Sequence, residues 1–260
     1  MENDKRLAAF AKLLDIMDEL REKCPWDAKQ TFESLRNNTI EETYELADAV
    51  LKNDMNDICK ELGDLLLHIV FYAKIGSEKK SFDITDVINR ICDKLIYRHP
   101  HVFGNVDVNN DADEVVKNWE QLKLKEKDGN KTVLSGVPSA LPALIKANRI
   151  QEKVSAVGFD WENRSQVWEK VLEEYNEVQH EIANQNSKRI EEEFGDLLFA
   201  IVNAARLYDI DPETALERTN KKFIRRFEYL EQQTIKQGRP LKTMTLDEMN
   251  EIWEAAKEFD

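Results

Sequence analysis

The sequence predicts an all-α protein built as two tandem helical-bundle domains from an internal duplication. Three observations predict it. Strand signals are almost absent, and the 8 glycines and 6 prolines fall mostly outside the periodic segments. Apolar residues recur at helical spacing, as at Leu7, Phe10, Leu14, Met17 and Leu20. The chain also repeats itself: "EETYE" (41–45) and "ELGDLLLHIV" (61–70) stand 132 residues ahead of "EEYNE" (173–177) and "EFGDLLFAIV" (193–202). Glu41, Glu42, Glu45, Glu61 and Asp64 therefore match Glu173, Glu174, Glu177, Glu193 and Asp196, and Gly63 matches Gly195. With 51 acids in 260 residues some coincidence is expected, but five in one register, with a glycine, point to a duplicated domain.

The elements follow in order. The first segment, "MENDKRLAAFAKLLDIMDELREK", reads as a helix and not a signal peptide, because charges interrupt every apolar run. A helix over about 112–126, carrying "NWEQLKLKEK", lies between two weakly patterned stretches, "GNVDVNND" (104–111) and "KDGNKTVLSGVPSALP" (127–142). The first repeat is thus expected over 1–127, a linker over 128–141 and the second repeat over 142–260. Within the second, "EEFGDLLFAIVNAA" (192–205) reads as a helix buried on most of its faces. Asp211-Pro212 marks a helix start with Pro in the first turn, and Thr245 to Glu248 fits a capping box.

Composition excludes some functions. The formal net charge of −14 argues against a nucleic-acid partner, whose binding depends on neutralising phosphates, and against anionic membrane surfaces. The longest apolar run, "LLLHIVFYA" (65–73), is too short to cross a bilayer. Cys24, Cys59 and Cys92 are widely spaced and form no C-x-x-C, as expected of reduced thiols in a cytoplasmic protein.

The acids carry the chemistry. Each repeat places E-E-x-x-E on one helix and E-x-x-D on the next, and positions three apart share a helix face. If the two helices pack antiparallel, Glu174, Glu177, Glu193 and Asp196 converge, as do Glu42, Glu45, Glu61 and Asp64. A Glu-rich helix is usually a solvated face, but acids flanked by apolar residues need a compensating cation. All-oxygen ligation suits Mg²⁺, with Mn²⁺ as a substitute. Gly195, costly in a helix interior, is expected where a neighbouring helix or ligand comes close. Cations distinguish the repeats. Lys170 stands on the face of Glu174 and Glu177, and Arg189 on that of Glu193 and Asp196, while the matching residues of the first repeat are Asn38 and Asp57. The next helix adds Lys222 and Arg226, which match Lys94 and Arg98 after a four-residue loop difference. A metal flanked by Lys and Arg points to a polyphosphate ligand. Trp253 reads as core or as a platform for a base. The single "EVQH" (177–180) disfavours an oxygen-activating di-iron bundle, which needs two such motifs. A nucleotide sensor that binds without turnover stays open.

From about residue 7 to 258 the chain resembles the MazG family, nucleoside triphosphate pyrophosphohydrolases of the all-α NTP pyrophosphatase superfamily. The residues that carry the resemblance are "CPWDAKQTFESL" (24–35), "EETYE", "ELGDLL", "RHPHVFG" (98–104), "NWEQLKLKEK", "LSGVPSALPAL" (134–144), "VGFDW" (157–161), "EEYNE", "EEEFGDLLFA" (191–200) and "NKKFIRRF" (220–227). The resemblance implies a homodimer that hydrolyses NTPs and dNTPs to monophosphate and pyrophosphate with Mg²⁺, mainly in the C-terminal copy. It implies metal ligation by Glu174, Glu177, Glu193 and Asp196, with a second, less active site at Glu42, Glu45, Glu61 and Asp64. It implies substrate contacts from Lys170, Arg189, Lys222, Arg226 and Trp253, and Glu192 is expected beside them. In the mechanism expected from these residues, Glu173 or one of the ligands takes the proton of the attacking water, and Lys222, Arg226 and Lys170 offset the charge on the leaving pyrophosphate. The family would place Lys at 189; Arg keeps the charge but presents a planar fork.

Overall fold

The computed structural model describes residues 4–106, 132–236 and 238–259, together with Val115, Asn118, Trp119 and Leu122. No strand occurs among them. The chain divides into two compact units, Met1–Asn110 and Asp111–Asp260. The first holds α1 (Lys5–Lys23), α2 (Phe32–Lys52), α3 (Met55–Glu78), α4 (Ile84–Arg98) and the single turn α5 (Pro100–Phe103). The second holds α6 (Ala143–Ser155), α7 (Arg164–Asn184), α8 (Ser187–Leu207), α9 (Pro212–Lys236) and α10 (Leu246–Ala256). The helix expected over 112–126 lies outside the described residues, except that Val115, Asn118, Trp119 and Leu122 are helical.

The duplication is visible in the backbone. Helices α2 and α7 both have 21 residues, and their starts stand in the 132-residue register of the sequence repeat. Thr31 and Asn163 open them with the same device, a side chain capping the third helical amide and a reciprocal bond back. Both end on a left-handed residue, Asn53 and Gln185, each at φ 55°. The next residue, Asp54 or Asn186, then caps the following helix through its side-chain oxygen. A left-handed turn followed at once by a new cap reverses the chain in two residues, so each pair folds into an αα-hairpin. The hairpin puts the two acidic motifs of a repeat side by side. The two sequence-marked starts also hold: Asp211 Oδ1 accepts from the Thr214 amide, and Thr245 and Glu248 form a reciprocal box.

Each unit has its own core. In the first, Met17 of α1, Leu35 of α2 and Val70, Phe71 and Ile75 of α3 are buried together. Arg21 ties the end of α1 to α3 by donating to Glu78 and to the carbonyl of Asp27. In the second, Val167 and Val178 of α7, Val202 and Ala204 of α8 and Leu230 of α9 are buried. Gly76 allows the end of α3 to meet Phe82, because a Cβ there would lie 2.7 Å from the ring. Phe82 in turn lies against Phe32, with ring centroids 6.3 Å apart, so the ring has little room to yield. Gly76→Ala should cost the first unit about 1–3 kcal/mol in thermal or denaturant unfolding.

Two expectations need correction. Helix α8 is not buried on most faces: Ala200, Val202 and Ala204 are inside, but Phe194, Leu198 and Ile201 are 47%, 55% and 44% exposed. Nor does a neighbouring helix approach Gly195 or Gly63. Among the described residues a Cβ at either would meet nothing within 4 Å.

Candidate active site

The α7–α8 hairpin brings carboxylates together. Oxygens of Glu174, Glu177 and Glu193 lie within 4.8 Å of one another, and Glu174 is 6% exposed. Partial burial, then the charges of Glu177, Asp196 and Glu174, raises the Glu193 pKa above its usual value. Asp196, one helical turn on, is exposed and faces the adjoining cavity with Glu174. The first repeat forms the same group from Glu42, Glu45 and Glu61. There Glu61 is 4% exposed and its Oε2 has no hydrogen-bond partner. Burial, then Asp64, Glu45, Glu61 and Glu41, raises the pKa of Glu42.

Lysine marks one edge of the second cluster. Lys170 Nζ lies 2.7 Å from Glu174 and 2.9 Å from Glu173. Its hydrogen bonds to Glu174, then Glu173, lift its pKa well above the usual lysine range, so the ammonium is fixed. Of the other expected substrate contacts, Arg189 is placed 3.8 Å from Glu181, and Glu192 is exposed, 3.9 Å from Lys188. Lys222 and Arg226 are half-buried on α9. The Arg226 guanidinium lies 5.7 Å from the Trp253 ring centroid, and Phe223 packs on the same ring at 4.9 Å.

A cavity of about 470 Å³ opens beside Lys170, Glu174 and Asp196, within the range of small-ligand sites. Phe159, Trp161 and Phe199 supply its aromatic wall, and Gln151 and Asn203 its polar groups. Arg206 at one side is held by Asp160, which also accepts from Ser155 and the Trp161 amide. Asp160 and Trp161 belong to the "VGFDW" stretch. Gln151, Phe199, Asn203 and Arg206 were not singled out in the sequence; Phe199 and Asn203 lie in the stretch read there as a buried helix.

The first repeat treats the same place differently. Thr39 Oγ1 bonds His68 Nδ1 at 2.6 Å and the Tyr72 hydroxyl at 2.7 Å. In the 132-residue register these three positions become Val171, Ala200 and Ala204. Two alanines thus stand in the second repeat where the first has the His and Tyr of a bonded cluster, and Val171 replaces the hydroxyl of Thr39 with a methyl. The cleft at the first cluster is lined mainly by acids, Glu41, Glu45, Asp48, Asp57 and Glu61, and its Lys52 is held at 2.7 Å by Asp48.

Comparison with known proteins now bears on these two sites. The model of the MazG nucleotide pyrophosphohydrolase domain matches residues 30–103 and again 163–230, each match covering one acidic hairpin. The chain belongs to the MazG family. It is a hydrolase acting on acid anhydrides. The nucleoside triphosphate pyrophosphohydrolase of Escherichia coli K12 is 42% identical over 253 residues, 95% of this chain and 96% of that protein. The Thermotoga maritima nucleoside triphosphate pyrophosphohydrolase/pyrophosphatase MazG is 43% identical, over 96% of each chain. An uncharacterized Bacillus subtilis protein, YabN, is 46% identical over 96% of this chain, which spans 52% of its length. The two MazG matches, separated by an unmatched stretch, bear out the tandem all-α architecture. No described helix is long and apolar enough to cross a membrane.

Proposed function

We propose that the chain is a Mg²⁺-dependent pyrophosphohydrolase that cleaves nucleoside and deoxynucleoside triphosphates between the α- and β-phosphates. The observation that carries this reading is one shared wall: Glu174 belongs both to the three-carboxylate group and to the nucleoside-sized cavity, with Lys170 beside it. Triphosphate at the acids and nucleoside in the cavity is the arrangement that this wall permits.

The donor set fits a hard divalent ion. Three carboxylates at this spacing repel one another, and oxygen donors suit Mg²⁺, or Mn²⁺ in its place. Glu174, Glu177, Glu193 and Asp196 would hold it. Bound Mg²⁺ supplies a Lewis acid for phosphate oxygens and lowers the pKa of a coordinated water. The residues of the chain do the rest. Lys170, pinned between Glu173 and Glu174, presents a fixed positive charge to the phosphates. Glu173 is exposed beside the cluster and accepts the proton of the attacking water. The water oxygen bonds to the α-phosphorus as the bond to the bridging oxygen breaks. Lys222 and Arg226 offset the charge gathering on the departing pyrophosphate, with Arg226 positioned by Trp253. Arg189 and Glu192, in the first turns of α8, complete the substrate contacts.

The first repeat, at Glu42, Glu45, Glu61 and Asp64, is the less active site. Its cleft is acidic, and His68 and Tyr72 stand where the second repeat leaves room. Glu61→Gln should therefore keep turnover within about threefold of the wild type, as expected for sites that act independently. The repeats are read as residues 1–127 and 142–260 joined by a linker at 128–141. A homodimer is the cover we infer for Phe194, Leu198 and Ile201. The matching Leu62, Leu66 and Ile69 of the first repeat are also exposed, so both hairpins offer one. The acidic protein acts on free nucleotides in the cytoplasm, without nucleic acid or membrane as a partner.

The test is product analysis with a mixture of NTPs and dNTPs and Mg²⁺. Monophosphate with pyrophosphate is expected. Diphosphate with orthophosphate would reverse the roles given to Lys222 and Arg226, and neither product, with nucleotide still bound, would favour a sensor.

A further inference from the structure

One ion pair of the second unit is used neither by the metal ligands nor by the phosphate contacts. Asp160 stands in the connection between α6 and α7, and Arg206 of α8 reaches it with both terminal nitrogens, one on each carboxylate oxygen. The Asp160 and Arg206 side chains are 23% and 15% exposed, so the pair is forked and largely desolvated, unlike a weak surface ion pair. Each partner is fixed again from its own side. Asp160 accepts from Ser155 Oγ at 2.6 Å and from the Trp161 amide at 2.9 Å. Arg206 Nε donates to the Asn203 oxygen at 3.0 Å, one turn back on α8. The connection needs such a tie. Gly158 is left-handed at φ 89°, and Val157 and Phe159 beside it are 53% and 80% exposed, so little packing holds the segment. Yet Phe159 and Trp161 of this segment form a wall of the cavity.

The first repeat arranges the same elements another way. In the 132-residue register Arg206 matches Lys74, which pairs with Asp18 of α1 at 2.7 Å. The connection before α2 is held from α1 instead, by Arg21 on the carbonyl of Asp27. The acidic hairpin thus forms there with its connection tied to the first helix, and the link from the hairpin to the connection is an addition of the second unit. We infer that Asp160 is a positioning residue for the substrate. Through Arg206 it fixes the Phe159–Trp161 wall against α8, and so sets how firmly the nucleoside half is held while the acids act on the phosphates. The inference rests on the pyrophosphohydrolase reading and adds to it a residue that acts on binding and not on the bond broken. An aromatic wall ordered in advance spares the substrate the cost of ordering it on binding.

The experiment measures kcat and KM separately for ATP with Mg²⁺ in wild type, Asp160→Asn and Asp160→Glu. Asp160→Asn keeps the shape but turns one accepting oxygen into a donor, which cannot face Arg206. It should raise KM about tenfold and leave kcat within about twofold, the pattern of lost binding that is equal in ground and transition states. Asp160→Glu restores the carboxylate and should bring KM back to within about threefold of wild type. Should Asp160→Asn fail to fold, Arg206→Lys reads the same split, because it keeps the charge and loses the fork. An unchanged KM in the variant overturns the inference. So does a fall in kcat at constant KM, which a merely structural pair gives by lowering the folded fraction and a chemical role gives directly. Wild-type protein that cleaves no nucleotide would fail the pyrophosphohydrolase reading itself, and the inference with it.

Discussion

Glu193→Gln should lower hydrolysis by about a thousandfold or more while leaving both units folded, because it removes one ligand from the cluster and no core contact. The sign of its effect on stability follows from the raised Glu193 pKa. Burial and the charges of Glu177, Asp196 and Glu174 make the folded state bind the Glu193 proton more tightly than the unfolded chain does. The ionised carboxylate therefore opposes folding in full above its folded-state pKa; the opposition fades as pH falls through that pKa and is gone below the unfolded value of about 4.3. At neutral pH without metal, Glu193→Gln should melt at or above the wild-type temperature. Addition of Mg²⁺ should raise the wild-type melting temperature, because a ligand that binds only the folded state stabilises it. The variant should lose most of that rise. Near-normal turnover in the variant, or an equal metal response, would remove Glu193 from the site.

Lys170→Met should lower kcat/KM for nucleotides by about a hundredfold, in the range found when one charge-stabilising donor is removed. Here the metal response should survive. Lys170 touches Glu173 and Glu174 and competes with a cation for the latter, so its loss leaves the acids free to bind metal. Calorimetric titration with Mg²⁺ in parallel with kinetics separates the two roles. Lost metal binding together with lost activity would make Lys170 a structural partner of Glu174 and no more.

The acids and the cavity beside them differ in how far the sequence displays them. The acids were legible because a repeat displayed them twice in one register, and because helical spacing of three already states that Glu174 and Glu177 share a face. The hairpin that joins Glu177 to Glu193 was legible only as a condition. The structure supplies it through Asn53 and Gln185 in the left-handed conformation, and Gln185 is not a residue that announces such a turn. The cavity was not legible at all. Of its lining residues, Ala200 stands where the first repeat has the larger His68, a comparison that has meaning only once the two repeats are laid on one another. The misreading of α8 has a related cause. Its apolar residues cover more of the helix than meets the core among the described residues, and helical spacing alone does not tell which of them do.

The central claim is that acids and cavity form one nucleotide site in the second repeat. A crystal structure with Mg²⁺ and a nucleotide bearing a non-hydrolysable α,β-imido link tests it most directly. The account predicts the metal among Glu174, Glu177, Glu193 and Asp196, phosphates against Lys170, and the nucleoside in the cavity. A metal bound elsewhere, or a base lying on Trp253 with the cavity filled only by water, would contradict it.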